Sequence, residues 1–429
     1  MHDLRLVREQ MHLLRDGFGR RGKLETLGPI LDRLEGLEKE RRSLITAAED
    51  RKARRNLMTQ EVAQRKRAGD DATELVAESR NLGGEIARLE ADLTATELTM
   101  DGLMLELPNI TREDVPAGDE SHNRVVRTWG TPRADDGVRP HWDVAAELGI
   151  VDLTRGAKIS GSGFIVYRGH GARLVRALIN LMLDTHTGAH GYEETWVPLL
   201  VNRASMTGTG QLPKFEDDMY AVHGEDAFLI PTAEVPVTNL YRDEILDAAE
   251  LPKALTAYSA CFRKEAGAAG KDTRGLLRVH EFDKVELVRY VKPEESEAEL
   301  EQLTSHAEAI LTLLELPYRV LLLAAGDTGF ASSKTYDLEV FAPGVGKWLE
   351  VSSCSNFGDF QARRMNIRFR PAAGEKPRFV HTLNGSGLAL PRIIAALLEH
   401  GQQADGTIAI PAALRPYLGT AHLGTARQG

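Results

Sequence analysis

The spacing of hydrophobic residues near the beginning of the chain predicts two long helices. Between Leu27 and Leu107, mostly apolar residues, beginning with Ile30, Leu34 and Leu37, recur at alternating steps of four and three, which is the 3.5-residue repeat of a coiled coil. The repeat breaks at Ala68-Gly69-Asp70-Asp71, where glycine favours a turn and aspartate can cap a new helix. We therefore expect residues 1–107 to form an antiparallel helical hairpin.

After the hairpin, the pattern changes to short strands and helices. Pro108 ends the second helix, because proline cannot continue it, and residues 108–128 contain Pro116, Gly118 and several acids that are typical of a linker. Short β-rich runs then alternate with helical stretches from Trp129 onward, which predicts a mixed α and β domain over residues 129–419. Residues 420–429 carry no apolar period and are expected to form a flexible tail.

Composition excludes several classes of protein. The chain has 429 residues, 42% hydrophobic content and a formal net charge of −10, which is ordinary for a globular protein and argues against wholesale disorder. No run approaches the roughly 18 apolar residues of a membrane-spanning helix, and no apolar signal region follows Met1, so we expect no membrane association. Cys261 and Cys354 show no metal-ligand spacing, so we expect a cytoplasmic protein without disulfides or zinc.

Positive charge is concentrated at the distal end of the predicted hairpin. The stretch from position 51 to position 67 contains a single acid, Glu61, and seven basic residues. The basic residues are Arg51, Lys52, Arg54, Arg55, Arg65, Lys66 and Arg67. They are typical either of a solvated coiled-coil end or of an arm that contacts the phosphates of a nucleic acid. The pattern alone leaves both interpretations open.

Two arginine-containing motifs in the second domain point to polyphosphate chemistry. The first, Arg263-Lys264-Glu265, is followed by a glycine-rich stretch with Gly267, Gly270, Lys271 and Gly275, and then by Arg278 and the Phe282-x-x-x-Glu286 pattern. The second runs from Asn384-Gly385-Ser386-Gly387 to Arg392 at the start of a predicted helix. Because guanidinium groups match phosphate oxygens, two separated arginines converging on one site suit a polyphosphate.

These segments resemble motifs 2 and 3 of the class II aminoacyl-tRNA synthetases, and residues 171–198 resemble motif 1. Further segments narrow the resemblance to bacterial seryl-tRNA synthetases: Thr207–Phe215, Pro231–Pro236, Glu350–Asn356 and Phe379–Gly387. The similarity covers essentially the whole chain, including the hairpin. One departure is Leu390-Pro391 before Arg392, where many members carry Val-Gly; proline is well tolerated in a first helical turn.

The resemblance implies an α+β fold, with an antiparallel catalytic sheet of six or seven strands, flanking helices and a tRNA-binding hairpin. It implies that serine and ATP form seryl-adenylate, and that the seryl group then passes to tRNA(Ser) and, where present, to tRNA(Sec). It also implies a homodimer formed through motif 1.

The resemblance assigns roles residue by residue. It places the ATP site at Arg263, Lys264, Glu265, Arg278, Phe282, Glu350, Val351, Ser352, Ser353 and Arg392, with Arg263, Glu265 and Arg392 as catalytic residues. It places the serine site at Thr232, Ala233, Glu234, Arg263, Glu286, Thr382, Asn384 and Ser386. Mg²⁺ would bind Glu350 and Ser353, since this hard cation prefers oxygen ligands. The seven basic hairpin residues would contact tRNA.

Two rival functions remain open from the sequence. A related ligase would form seryl-adenylate and load a carrier protein or a biosynthetic acceptor, but such an enzyme has no need of a basic arm. A non-catalytic RNA-binding relative would not need Arg263, Glu265, Glu286, Glu350 and Arg392 together.

Overall fold

The computed structural model describes residues 1–134, 137–266 and 274–424. The chain divides into two compact units, Met1–Pro108 and Asn109–Gly429. The predicted positions of Gly267, Gly270 and Lys271 in the glycine-rich loop lie outside the described residues.

The first unit is helical. Its elements are α1 (Leu4–Glu9), α2 (Met11–Arg20), α3 (Leu24–Ala68) and α4 (Thr73–Glu106). The predicted break is confirmed, since α3 ends at Ala68 and its C-cap is Gly69, whose φ of 82° lies in the left-handed region that glycine adopts readily. Asp71 then accepts hydrogen bonds from the backbone N–H and the hydroxyl of Thr73, at 2.9 and 2.6 Å, in the turn before α4, whose N-cap residue is Ala72.

Two buried positions of α3 lie one residue away from the predicted seam positions. The buried positions include Leu31, Leu34 and Glu38, whereas the sequence pattern placed Ile30 and Leu37 in the seam. A carboxylate at a seam position is invisible to a search for apolar residues, which is why the pattern selected the neighbouring row. Arg41 and Arg42 lie 3.6 and 3.8 Å from the Glu38 carboxylate oxygens.

The second unit contains the remaining elements of the described ranges. Its helices are α5 (His141–Glu147), α6 (Leu153–Ser160), α7 (His170–Gly188), α8 (Arg203–Thr209), α9 (Glu234–Thr238), α10 (Ser296–Leu313), α11 (Phe360–Met365), α12 (Leu390–His400) and α13 (Arg415–Leu418). Its strands are β1 (Arg124–Trp129), β2 (Glu193–Glu194), β3 (Leu200–Asn202), β4 (Ala227–Leu229), β5 (Ile245–Asp247), β6 (Lys253–Phe262), β7 (Glu281–Val291), β8 (Tyr318–Leu322), β9 (Lys334–Ala342), β10 (Lys347–Asn356), β11 (Arg368–Arg370), β12 (Arg378–Phe379), β13 (His381–Ala389), β14 (Ile408–Ala409) and β15 (His422–Leu423).

The main sheet has eight strands among the described residues, against the expected six or seven. Their order is β1-β8-β9-β10-β13-β7-β6-β2. All neighbours are antiparallel except β2 and β6, which are parallel. Both edge strands escape a search for alternating patterns: β2 has only two residues, and β1 lies in the segment that the composition assigned to the linker. Likewise, β15 lies within the expected tail, where it pairs with β14 from the preceding domain.

Helices cover one face of the main sheet, and the opposite face is open to a site. α10 covers the face presented by Gly385, where a Cβ would lie 2.4 Å from Leu303. α7 lies on the same face, because His186 faces Gly387. Successive residues of a strand point to opposite faces, so Asn384 and Ser386 point to the other side. None of the helices in the described part of the chain has the length and apolar character needed to cross a membrane.

Candidate active site

A cleft with a cavity volume of about 380 Å³ lies on the open face of the sheet. Twelve of the sequence-predicted site residues line it: Thr232, Glu234, Arg263, Glu265, Arg278, Phe282, Glu350, Val351, Ser353, Asn384, Ser386 and Arg392. These residues come from both arginine motifs and from the segments before and between them. The structure therefore brings distant parts of the sequence together in one concave site.

The other predicted residues lie outside the lining of the cleft. Lys264 is exposed, and its backbone N–H donates to the carbonyl of Asp218. Ala233 is buried in the turn between Thr232 and Glu234. Ser352 is buried, and its hydroxyl donates to the carbonyl of Ser386 at 2.7 Å.

Glu286 forms the centre of a buried polar cluster beneath the cleft. It is 1% exposed, and its carboxylate accepts hydrogen bonds from Thr232 Oγ1 at 3.1 Å and from Asn384 Nδ2 at 3.0 Å. Lys284 Nζ lies 2.6 Å from Glu286 Oε2 and also donates to Thr232 Oγ1 at 3.0 Å. This pairing allows a carboxylate to stay charged in a buried position, since an unpaired buried charge is strongly unfavourable.

Glu234 is a second buried carboxylate in the cleft, and its pKa is raised to about 7. Burial is the largest cause, and the nearby charge of Glu286 adds to it. The amide of Gln361 opposes the shift by donating a hydrogen bond to Glu234 Oε1 at 2.7 Å. A positively charged ligand would favour the ionised form of Glu234.

The basic residues that line the cleft differ in how they are neutralised. Arg278 pairs with Glu265, Lys284 pairs with Glu286, and Arg392 lies 3.5 Å from a Glu350 carboxylate oxygen. Arg263 has no carboxylate within ion-pair distance among the described residues. Its Nε donates a long hydrogen bond of 3.4 Å to the Pro231 carbonyl. The positive charge of Arg263 is thus available to an anionic ligand.

An aromatic ring and two guanidinium groups shape the rest of the cleft. The guanidinium of Arg263 lies 5.1 Å from the centre of the Phe282 ring. Arg392 is held by the carbonyls of Leu277 and Glu350, to which it donates at 3.1 and 2.7 Å. Its position in the first turn of α12 therefore depends on two other segments of the cleft.

Backbone geometry also contributes to the site. β13 is irregular in its pairing with β7 between Ser386 and Leu388, and Leu388 has a φ of 144°. Glu265 has a φ of 55°, in the left-handed region that non-glycine residues seldom adopt. Strained backbone of this kind is frequent at ligand sites, where the surrounding structure holds it in place.

A buried pair behind the cleft supports its floor. His141 and Glu399 are both fully buried, and the backbone N–H and Nδ1 of His141 lie 3.0 and 2.8 Å from Glu399 Oε1. The other ring nitrogen of His141 accepts a hydrogen bond from the backbone N–H of Leu276, which lines the cleft. Because that nitrogen accepts, Nδ1 carries the proton and donates to Glu399.

The donor chemistry around Glu350 and Ser353 fits the expected Mg²⁺. Both residues line the cleft, and Asp337 is paired with Ser353 across the β9–β10 ladder. Asp337 Oδ1 is buried without a hydrogen-bond partner among the described residues, and burial together with Glu350 raises the pKa of Asp337 well above its ordinary value. Within the described ranges, no group of three or more histidine, cysteine or acidic side chains is arranged to hold a metal ion. A cation bound here would therefore also need oxygens from a ligand or water.

Sequence reasoning missed several polar residues of this region, among them Lys284 and Gln361. Lys284 stands two residues from both Phe282 and Glu286 on β7, so strand alternation alone would have placed it on the same face. Gln361 lies on the six-residue helix α11, which has no detectable period, and nothing in the sequence pointed to it.

The basic end of the hairpin is more neutralised than the sequence count suggested. Four of its seven basic residues lie within 4 Å of a carboxylate oxygen: Arg51, Lys52, Arg54 and Arg65. Three of their partners, Glu78, Glu85 and Glu90, come from α4. Arg55, Lys66 and Arg67 have no such partner among the described residues.

Comparisons with known proteins agree with this architecture. The family model for the class II tRNA synthetase core domain (G, H, P, S and T) matches residues 214–401, and the model for the seryl-tRNA synthetase N-terminal domain matches residues 1–111. A serine--tRNA ligase from Gemmatimonas aurantiaca is 70% identical over 424 residues, covering 99% of this chain and 100% of that protein. The chain belongs to the serine--tRNA ligase family.

Other relatives extend the comparison. A serine--tRNA ligase from Pelotomaculum thermopropionicum is 52% identical, covering 98% of this chain and 99% of that protein. The seryl-tRNA synthetase from Pyrococcus horikoshii, solved with ATP, is 39% identical and superimposes with a TM-score of 0.94, covering 99% of both chains. The predicted family, fold class and type of enzyme are confirmed: the chain is an aminoacyl-tRNA ligase with a class II core.

Proposed function

We propose that the cleft activates L-serine with ATP and that the enzyme then transfers the seryl group to tRNA(Ser). The observation that carries the proposal is the proximity of two complementary features, one directly beneath the cleft and one in its lining. Glu286 and its three polar partners form a small polar receptor, and Arg263 carries a positive charge without a carboxylate partner among the described residues. An amino acid with a polar side chain fits the first feature, and the α-phosphate of ATP fits the second.

The amino-acid site is proposed to read all three polar groups of serine. The buried carboxylate of Glu234, with Thr232 beside it, receives the ammonium group. Arg263 holds the carboxylate group close to the α-phosphate. Glu286, positioned by Asn384, accepts a hydrogen bond from the serine hydroxyl. An amino acid without a hydroxyl leaves these buried groups unpaired, so alanine should be rejected strongly.

The ATP site is proposed to lie along Phe282, Arg278 and Arg392. The adenine stacks on the Phe282 ring, with Arg392 on its other face, and Glu265 orients the base or nearby water. Arg278 lies near the terminal phosphates. Glu350 and Ser353 would hold Mg²⁺, which would neutralise charge on the phosphates when bound.

The first chemical step is proposed as a direct displacement at the α-phosphorus. A serine carboxylate oxygen forms the new P–O bond while the bond to the leaving pyrophosphate breaks, which gives seryl-adenylate. Arg263 can stabilise the negative charge that develops on the phosphate oxygens, since the N–H groups of a guanidinium match the geometry of phosphate oxygens. Positioning and electrostatics thus account for the step without a covalent enzyme intermediate.

The second step transfers the seryl group from the adenylate to the terminal adenosine of tRNA, where class II enzymes normally use the 3′-hydroxyl. The basic end of the hairpin is proposed to contact tRNA phosphates, and tRNA(Sec) is a further acceptor where it is present. Neither acceptor contributes to the first step, so the two activities can be measured separately.

A homodimer formed through motif 1 is part of the proposal. Trp196, 80% exposed, and Leu199 and Leu200 follow α7, and large exposed apolar side chains of this kind often lie at interfaces. The mass of the protein in solution tests this point. A cytoplasmic location stays a prediction of the sequence.

Serine-dependent exchange of labelled pyrophosphate into ATP, followed by serylation of tRNA(Ser), tests the proposed function. We expect exchange with serine alone and serine transfer when tRNA is added. Exchange without transfer to tRNA would favour the carrier-loading ligase. A folded protein without exchange would favour the non-catalytic RNA-binding relative.

A further inference from the structure

A fully buried glutamine connects the amino-acid end of the cleft to the sheet behind it. Gln361 on α11 is 0% exposed and does not line the cleft. Its Nε2 donates to Glu234 Oε1 at 2.7 Å and to the Thr209 carbonyl at 3.2 Å. Its Oε1 accepts from the hydroxyl of Thr382 at 2.7 Å. One amide thus joins α8, α9 and β13.

The partners of this amide determine its orientation. The Thr209 carbonyl can only accept a hydrogen bond, so the group that faces it must be the NH₂ of Gln361. The hydroxyl of Thr382 can donate, and it is placed against the amide oxygen. A flipped amide would put its oxygen against both the carbonyl and the Glu234 carboxylate, which would create two repulsive contacts. Thr382 and Thr209 therefore ensure that Glu234 receives a hydrogen-bond donor.

We propose that Gln361 is a positioning residue that keeps Glu234 ionised and correctly aimed to receive the ammonium group of the substrate amino acid. Thr382 then acts through Gln361, which explains why a residue predicted to bind serine is buried behind the cleft. The proposal rests on the proposed function, because that function assigns the substrate ammonium to Glu234.

The charges around Glu234 explain why such a residue is needed. Burial disfavours the ionised form of Glu234, and Glu286 faces it with a like charge, so the pKa of Glu234 lies at about 7 even with the Gln361 bond present. Lys284 and Arg263 oppose these effects at longer range. Removing the Gln361 donor should raise the pKa of Glu234 further, because the ionised carboxylate would lose its direct hydrogen bond. A larger fraction of the free enzyme would then be protonated at neutral pH and unable to attract an ammonium group.

The test uses Gln361→Met, which has a similar length but no donor, and Gln361→Glu, which replaces the donor by a second acid. The full-length protein is assayed by serine-dependent pyrophosphate exchange, with kcat/KM for serine and KM for ATP measured below and above neutral pH. For Gln361→Met we expect kcat/KM for serine at neutral pH to fall by roughly ten- to a hundredfold, the range for losing a hydrogen bond to a charged group. The KM for ATP should stay within about twofold, because Gln361 contacts none of the proposed ATP residues. Gln361→Glu should be affected at least as severely.

The pH profile separates positioning from a merely structural role. In Gln361→Met, the acidic limb of kcat/KM for serine should move to higher pH, so that part of the activity returns under mildly alkaline conditions. A structural defect would lower kcat/KM equally at all pH values and would also change the KM for ATP. Gln403→Met is a matched control on an exposed residue, and it should leave both parameters unchanged.

Thr382→Val supplies an independent variant if Gln361→Met folds poorly. It removes the hydroxyl that fixes the amide and should shift the same limb of the pH profile in the same direction. Its effect should be much smaller in a Gln361→Met background, because the two residues act in series. The inference would be overturned if the wild type showed serine-dependent exchange and folded Gln361→Met had the same pH profile of kcat/KM for serine as the wild type. Absence of serine-dependent exchange in the wild type would instead overturn the proposed function.

Discussion

At the scale of single residues, the cleft is organised by which charges are paired inside the protein. Arg278 and Lys284 have carboxylate partners, so part of their charge is used to hold the site together. Arg263 has no such partner among the described residues, and its side chain makes a long hydrogen bond to the Pro231 carbonyl and a contact with the Phe282 ring. We therefore expect substitutions at these positions to separate effects on chemistry from effects on stability.

Arg263→Ala should remove adenylate formation without unfolding the protein. Loss of a preorganised charge that acts on the transition state lowers kcat by roughly a hundred- to a thousandfold. Arg263→Lys should recover only part of the activity, since lysine lacks the bidentate fork of arginine. Pyrophosphate exchange measures the loss, and calorimetry should give a melting temperature close to that of the wild type. Near-normal exchange in folded Arg263→Ala would contradict the assignment.

Glu286→Ala should affect serine more than alanine. Loss of the hydrogen bond to the serine hydroxyl should cost on the order of 2 kcal/mol in serine activation. The substitution also leaves Lys284 buried without its partner, so the melting temperature should fall. Comparing kcat/KM for serine and alanine in the same variant cancels this stability effect. Equal losses for the two amino acids would mean that Glu286 does not read the hydroxyl.

At the scale of secondary-structure elements, sequence patterns predicted the long, periodic elements best. The break at Gly69 and the helix that begins near Arg392 both follow from local signals. The two-residue strand β2 and the short helix α11 have too few residues to produce a period. Gln361 could not be predicted for the same reason, since its role depends on partners from three distant elements.

The charge of the hairpin illustrates the same limit. A count along α3 finds Glu61 as the single acid among seven basic residues, but the antiparallel neighbour α4 adds Glu78, Glu85 and Glu90 beside them. The relative rotation of two helices decides which side chains face each other, and the seam of α3 was predicted one row away for some of its positions. Local composition therefore overestimated the free positive charge.

A cluster of histidines joins α7 to α10 and should make the catalytic unit sensitive to acid. His186 Nδ1 lies 3.0 Å from His190 Nδ1, and the rings of His190 and His306 stack with centroids 4.1 Å apart. The pKa of His186 is lowered to about 3 and that of His306 to about 4. Burial is the largest cause in both cases, and the nearby His190 adds to it. Arg289 adds a further positive charge beside His306.

The sign of the pH effect follows from these directions. Below the ordinary histidine pKa of 6.5, the unfolded chain binds protons that the folded cluster excludes, so stability falls as the pH decreases toward 4 and then 3. Each such histidine contributes a slope of up to about 1.4 kcal/mol per pH unit. Calorimetry across this range should show a steeper loss for the wild type than for His306→Asn, which cannot take up the proton. Parallel curves would contradict the role of the cluster.

At the scale of the whole molecule, the two units separate the two proposed steps. Every residue that lines the cleft belongs to the second unit, whereas the basic residues proposed to contact tRNA belong to the first. A change at the end of the hairpin should therefore leave serine activation intact and alter the interaction with tRNA. The ion pairs of the hairpin also provide a matched comparison between two sets of three basic residues.

The first set has no carboxylate partner among the described residues, and in the test each member is replaced by glutamine: Arg55, Lys66 and Arg67. The second set is paired with carboxylates and is replaced in the same way: Arg51, Arg54 and Arg65. Both variants remove three positive charges, so a difference between them cannot come from net charge alone. Replacing the second set also leaves carboxylates of the hairpin without their ion-pair partners, which should lower the stability of the helices.

Replacing the unpaired set should weaken tRNA binding with less loss of helix stability than replacing the paired set. Neutralising a phosphate releases counterions, so the slope of log affinity against log salt should decrease by about 0.7–0.9 for each phosphate that the variant no longer neutralises. We expect a higher KM for tRNA, a flatter salt dependence and unchanged serine-dependent pyrophosphate exchange. The paired set should show a smaller change in salt slope, because its charges are already partly neutralised, and a larger decrease in helix melting temperature measured by circular dichroism. If neither variant changes tRNA affinity or its salt dependence, the basic end is a solvated coiled-coil terminus and tRNA must be held elsewhere.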